Sequence, residues 1–170
     1  LAASLEHASV HPVAAAIASS GLDELRVSVD VASRETYELV RGANGFDRIV
    51  QNLRDFSDVK RTVCAPGPRV SLWITGMKSN VRELPALVQL AHAIGVGEVY
   101  LQRLVYSDRG LAAADQSLYE RSALDDLEAI RNAEALEGTL GVTLRGSGQA
   151  SSGGLLATSG TATYRDCRPP

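Results

Sequence analysis

The chain has 170 residues, of which 45% are hydrophobic and 22% charged, so it can bury one ordinary core and is too apolar for disorder. A net charge of −3, with no cluster of Lys and Arg interleaved with aromatics, argues against nucleic acid as the main partner. No apolar run reaches the roughly 18 residues that a membrane helix needs, and no signal peptide opens the chain, so we expect a cytoplasmic protein without a membrane partner.

Strand-like and helical patterns alternate along the chain. Helix N-caps are expected at Ser33, at Asn80 with Glu83, and at Ser117 with Glu120. The predicted elements are helix 12–19, strand 24–30, a short helix to Val40, a helix with core positions from Phe46 to Phe56, loop 58–68, strand 69–75, helix 81–94, strand 98–104, helix 118–137 and strand 141–145. This alternation predicts right-handed crossovers and a parallel sheet, which is the α/β class.

Four strands cannot close a barrel by themselves, so the sheet is either a small open one or part of a (β/α) TIM-like barrel. The chain starts at Leu1 instead of Met and stops at Pro170, directly after a cysteine-containing segment. We therefore expect a piece of a longer barrel. Residues 1–145 form its folded part, and residues 146–163 form a linker rich in Gly, Ser and Thr.

The end of the first predicted strand carries the best candidate site. The run Leu25-Arg-Val-Ser-Val-Asp30 is mostly apolar and ends in a hydroxyl and a carboxylate. Ser28 and Asp30 are two residues apart and so share one face of the strand. Because the carboxyl ends of parallel strands open onto the ligand-binding loops, this pair indicates a ligand site. The alternative is that Asp30 caps the following helix or loop.

Few other residues indicate chemistry. The chain has two cysteines and three histidines. Cys64 lies in a Pro/Gly loop without a cysteine partner at metal spacing, and the histidines do not cluster, so no zinc site is expected. Trp73 falls in the middle of a strand and is interpreted as a core residue.

Four blocks of the sequence resemble the radical SAM enzymes that carry a SPASM-type C-terminal extension. Residues 19–30 resemble the segment leading into the fourth barrel strand, and residues 35–53 resemble the helical segment after it. Residues 77–96 resemble the loop and helix after the fifth strand. The last block, Cys167-Arg-Pro-Pro170, resembles the start of the extension. The resemblance implies an incomplete radical SAM barrel, with residues 164–170 opening the extension.

In an intact enzyme of this kind, the resemblance implies a [4Fe-4S] cluster and S-adenosylmethionine (SAM) as cofactors. Reductive cleavage of SAM, with an electron donor as partner, gives a 5′-deoxyadenosyl radical that abstracts hydrogen from a peptide or metabolite substrate. The CxxxCxxC motif that holds the catalytic cluster does not occur in this sequence. By itself the chain is therefore expected to be inactive, and Cys167 is the candidate ligand of an auxiliary cluster.

The resemblance also implies roles for individual residues. Ser28 and Asp30 would contact the ribose hydroxyls or the methionyl group of SAM, and Arg41 would pair with the methionyl carboxylate. Gln102 and Arg103, at the end of the third strand, are candidate contacts for adenine or substrate. Each has a structural alternative: Arg41 can be a solvated charge at a helix end.

In the loop after the second predicted strand, Lys78 is either a surface lysine or a contact for a substrate carboxylate, and Asn80 is interpreted as a cap rather than a ligand contact.

Two other functions stay open from the sequence. One is a non-catalytic α/β module that binds a nucleotide or phosphate at the same strand ends, although no GxGxxG or Walker loop is present. The other is an interaction domain that uses uncovered sheet edges and self-associates.

Overall fold

The computed structural model describes residues 12–64, 67–105, 112–118 and 123–147. Its helices and strands in chain order are α1 (Pro12–Ala18), β1 (Glu24–Ser28), α2 (Arg34–Arg41), α3 (Phe46–Thr62), β2 (Arg69–Gly76), α4 (Leu84–Ala93), β3 (Glu98–Arg103), α5 (Leu124–Leu140) and β4 (Thr143–Gly146). Short 3-10 turns occupy Val81–Glu83 and Ala114–Gln116.

The four strands form one parallel sheet in the order β1-β2-β3-β4. Each strand pairs with the one before it, so the order never reverses as it does in a doubly wound sheet. The predicted α/β class is confirmed, and the arrangement is that of part of a (β/α) barrel.

The two faces of the sheet differ in character. Alternate strand residues such as Leu72, Ile74, Val99 and Leu101 are buried and pack with residues of α2 to α5 in a single core. The intervening residues lie on the opposite face, which is polar and aromatic; we call it the inner face. It carries Glu24, Arg26, Ser28, Arg69, Ser71, Trp73, Thr75, Glu98, Tyr100, Gln102, Thr143 and Arg145.

Trp73 corrects one expectation from the sequence. It lies on the inner face, half-buried, and is not a member of the core cluster. The strict alternation of β2, with Val70, Leu72 and Ile74 toward the helices, turns Trp73 the other way.

Several element boundaries differ from prediction. Strand β1 ends at Ser28 instead of Asp30, and α4 begins at Leu84, after the 3-10 turn Val81–Glu83, instead of at residue 81. Helix α3 continues to Thr62, through part of the expected loop, because Lys60 and Arg61 suit the last turn of a helix. Helix α5 begins at Leu124 instead of residue 118, because Ser117 is held in an antiparallel bridge with Met77.

The predicted cap at Ser33 is confirmed. Ser33 caps α2, its side chain accepting from the backbone N–H of Thr36 at 3.3 Å. Helices α2 and α5 end at Gly42 and Gly141, which have φ of 64° and 66°.

Other predictions lie outside the described residues: Cys167, residues 164–170, and nearly all of the linker 146–163. None of the helices described is long and apolar enough to cross a membrane.

Candidate functional site

The structure brings three of the predicted site residues together at the carboxyl end of β1. The Arg41 guanidinium, in the last turn of α2, forms an ion pair with Asp30 and donates to the Ser28 hydroxyl and, at 3.2 Å, to the Ser28 carbonyl. The Ser28 hydroxyl in turn donates to Asp30 Oδ2 at 3.3 Å. We call Ser28, Asp30 and Arg41 the strand-end cluster.

Within this cluster, Asp30 is the anchor. Its side chain is 8% exposed, and its backbone is left-handed, with φ of 65°, a conformation that Asp tolerates better than most residues. Its Oδ1 accepts the backbone N–H of Thr75 at 2.7 Å. Both carboxylate oxygens are therefore engaged within the chain, and the groups that face outward are the exposed Ser28 and the Arg41 guanidinium, 36% exposed.

Asn80 fixes the backbone beneath the cluster. It occupies the predicted N-cap position, before the 3-10 turn Val81–Glu83, but the predicted capping box is wrong. It is 1% exposed and makes no cap hydrogen bond. Its Nδ2 donates to the carbonyls of Asp30 and Thr75, both at 2.9 Å, and its Oδ1 accepts the N–H of Met77 at 2.8 Å. A single side chain thus joins the loops that follow β1 and β2.

Glu83, the other half of the expected capping box, serves a different helix. Its carboxylate accepts the backbone N–H groups of Ala32 and Ser33 at 2.7 and 3.0 Å, and the hydroxyls of Ser33 and Thr36. The negative charge therefore sits at the N-terminus of α2, where the helix dipole favours it. Glu83 fixes the start of the helix whose last turn carries Arg41.

The remaining candidates lie along the same edge of the sheet. Gln102 is half-buried on the inner face, and its cross-strand partner is Thr75. No hydrogen bond to the Gln102 side chain occurs within the described part of the chain, so its amide is open to a ligand. Arg103 is exposed, and its backbone N–H donates to Ser147 Oγ at 2.7 Å. Lys78 is half-buried in the loop after β2.

Sequence reasoning missed an aromatic row on the inner face. Trp73 and Tyr100 are cross-strand neighbours whose rings stack with centroids 4.2 Å apart and an interplanar angle of 20°. The Arg26 guanidinium lies 4.7 Å from the centre of the Trp73 ring, a cation–π distance. Arg145 is the cross-strand partner of Tyr100 on its other side. The signal was the alternation of polar and aromatic residues with buried aliphatic ones along β2 and β3.

Hydrogen bonds connect this row to the amino-terminal end of the sheet. Trp73 Nε1 donates to Ser71 Oγ at 3.0 Å, and Ser71 donates to Glu24 at 2.9 Å. The pKa of Glu24 is lowered, chiefly by the hydrogen bond from Arg26 and also by the one from Ser71. The Glu24 carboxylate therefore stays ionised at neutral pH.

This arrangement suits recognition better than acid–base catalysis. A guanidinium offers planar paired donors to a carboxylate, and a hydroxyl can donate to or accept from a ribose hydroxyl. No group of three or more His, Cys, Asp or Glu residues in the described segments is placed to hold a metal ion.

No protein-family model matches the chain. It is distantly similar to radical SAM enzymes. A probable GTP 3′,8-cyclase of Saccharolobus islandicus (strain L.S.2.15 / Lassen #1) is 29% identical over 85 residues, which is 50% of this chain and 26% of the relative. The Fe-coproporphyrin III synthase of Methanosarcina barkeri is 34% identical over 109 residues, 62% of this chain and 25% of the relative. These matches span about a quarter of each relative's length.

Proposed function

We propose that this chain forms the later part of the SAM-binding barrel of a radical SAM enzyme, and that the strand-end cluster contacts SAM. The observation that carries the proposal is the meeting of Ser28, Asp30 and Arg41 at one point on the carboxyl edge of a parallel sheet. Distant similarity to two radical SAM enzymes supports the same assignment.

The outward-facing groups of the cluster fit the polar parts of SAM. Ser28 hydrogen-bonds a ribose hydroxyl, and the Arg41 guanidinium, held by Asp30, pairs with the methionyl carboxylate. Asp30 acts through Arg41 as a positioning residue, because its own oxygens already have partners. The amide of Gln102, which has no hydrogen-bond partner among the described residues, lies two strands away on the same edge and contacts the adenine ring.

When bound beside a reduced cluster in the intact protein, SAM would take one electron and be cleaved to methionine and a 5′-deoxyadenosyl radical, which would supply the chemistry for hydrogen abstraction from the substrate. The chain does not fit the [4Fe-4S] cluster itself, since its two cysteines cannot provide three thiolates. The cluster ligands, the electron donor and the substrate therefore belong to the proposal for the intact protein, as do the SPASM-type extension and a cluster-binding role for Cys167.

Binding of S-adenosylhomocysteine to the full chain tests the proposal. Isothermal titration calorimetry should show saturable binding that Ser28→Ala weakens and Arg41→Gln weakens by about tenfold or more, as expected for loss of a charge-assisted hydrogen bond. Arg54→Gln removes an exposed charge from α3 and should leave the affinity unchanged. Equal binding by the wild type and Arg41→Gln, with both folded by circular dichroism, would refute the assignment.

The non-catalytic nucleotide- or phosphate-binding module is the second candidate, because the outward-facing Arg41 guanidinium and Ser28 hydroxyl can also bind a phosphate. It predicts that AMP or inorganic phosphate binds the strand-end cluster as tightly as S-adenosylhomocysteine does.

A further inference from the structure

A cavity of about 510 Å³ lies at the amino-terminal end of the sheet, away from the strand-end cluster. It is bordered by the first inner-face residues of the strands and by the end of α3. Its charged lining residues are Glu24, Lys60, Arg61, Arg69, Glu98 and Arg145, so four cations face two carboxylates.

Arg61 is paired with Asp58, and two of the other cations lie around one carboxylate. Glu98 is shared by Arg145, whose Nε lies 3.4 Å from Glu98 Oε2, and by Arg69, whose Nη1 lies 3.9 Å away from it. Both arginine side chains are more than half exposed, at 59% and 65%. Two guanidinium groups against one carboxylate leave a net positive charge, and the remaining N–H donors of Arg145 can bind an anion.

A half-buried aromatic ring, that of Tyr100, lies beside these arginines. Trp73, on the β2 side of Tyr100, covers one face of the tyrosine ring. On β4 the cross-strand neighbour of Tyr100 is Arg145, and the only guanidinium stacked on an aromatic ring in the described part of the chain is Arg26 on Trp73. Tyr100 lies two residues beyond Glu98 on the same strand, about 7 Å along the sheet. That distance is comparable to the separation between the centre of a small planar ring and an anionic group attached to it.

We propose that the inner face binds a planar conjugated ring bearing a phosphate or carboxylate, with the ring against Tyr100 and the anion at Arg145 and Arg69. The inference rests on the proposed function, because it takes this surface as the substrate side of the SAM site. Along the strands the order is then basic cavity, aromatic row and strand-end cluster. A ligand seated this way extends its far end toward the edge where SAM is proposed to bind.

Three matched probes test the proposal on the full chain by calorimetry. They are 1-naphthyl phosphate, with ring and anion, 1-naphthol, with the ring alone, and inorganic phosphate, with the anion alone. The expected result is that 1-naphthyl phosphate binds at least about tenfold more tightly than either half, as a charge-assisted contact and a stacked ring together predict. Emission from Trp73, the single tryptophan in the chain, should change as the site fills.

Variants locate the site. Arg145→Gln and Tyr100→Leu should each weaken 1-naphthyl phosphate by about tenfold, whereas Tyr100→Phe, which keeps the ring, should bind normally. Arg131→Gln removes an exposed charge from α5 and should have no effect. Equal affinity for 1-naphthol and 1-naphthyl phosphate, or normal binding by a folded Arg145→Gln variant, would overturn the proposal.

S-adenosylhomocysteine separates this inference from the proposed function. Its binding should depend on Arg41 and not on Arg145. A chain that binds S-adenosylhomocysteine but not 1-naphthyl phosphate refutes only the ring-and-anion site. A chain that binds only 1-naphthyl phosphate refutes the SAM assignment, and with it the interpretation of the ring-and-anion site as a substrate site.

Discussion

Replacement of Asn80 by Ala should disrupt the candidate site. It should also remove much of the free energy of unfolding of the domain. The substitution leaves three backbone groups without their partner: the N–H of Met77 and the carbonyls of Asp30 and Thr75. Each hydrogen bond contributes about 1 kcal/mol net, and a buried group left unpaired costs about 1–3 kcal/mol. Because water can reach some of them after the change, we expect a total loss of about 3–5 kcal/mol, against a typical domain stability of about 5–15 kcal/mol.

Urea unfolding followed by circular dichroism measures this loss. With a slope of about 2 kcal/mol/M, the midpoint should fall by about 1.5–2.5 M. Asn80→Asp keeps the acceptor but points a carboxylate oxygen at two carbonyls, and should be at least as damaging. Ser79→Ala, at the exposed neighbouring residue, is the matched control and should change little. A loss below about 1 kcal/mol for Asn80→Ala would show that the side chain does not hold the two loops together.

Three further predictions concern the surroundings of the site. Glu83→Ala should cost about 2–3 kcal/mol in urea unfolding, because the start of α2 loses a charged acceptor; an unchanged midpoint would contradict this. Because the pKa of Glu24 is lowered in the folded state, the Glu24 carboxylate stabilises the fold at neutral pH, and this contribution is lost as the pH falls through the folded-state pKa. The difference in free energy of unfolding between wild type and Glu24→Gln should therefore shrink in acid and not grow. Gly42→Ala should lower stability by about 1 kcal/mol, since a side chain is strained at φ of 64°, and Gly42→Asn should cost less; urea unfolding of both variants measures the difference.

Much of the fold follows from local sequence patterns. Alternation of aliphatic with polar residues in β2 and β3, and helical spacing in α3, predict which side of each element is buried. The burial of these faces is a property of residues only a few positions apart, which the backbone geometry of one strand or helix relates directly. Ser28 and Asp30 do meet, at 3.3 Å, but Asp30 lies beyond the end of β1 with a left-handed φ of 65°, so alternation along the strand does not account for their contact.

The partners of the polar side chains depended on the tertiary structure. Asn80 and Glu83 have the spacing of a capping box, yet each reaches a backbone group about 50 residues away, because the sheet order places the loops after β1 and β2 side by side. Arg41 was expected to be free for a ligand or for solvent, and it is instead paired with Asp30. The sequence by itself determined which residues are polar and, through the periodicity of each strand or helix, which side of that element they occupy. Only packing between distant elements decided which groups these side chains bind. A polar side chain can pair with a nearby backbone group or with a distant one, and its local spacing does not choose between them before the chain is folded.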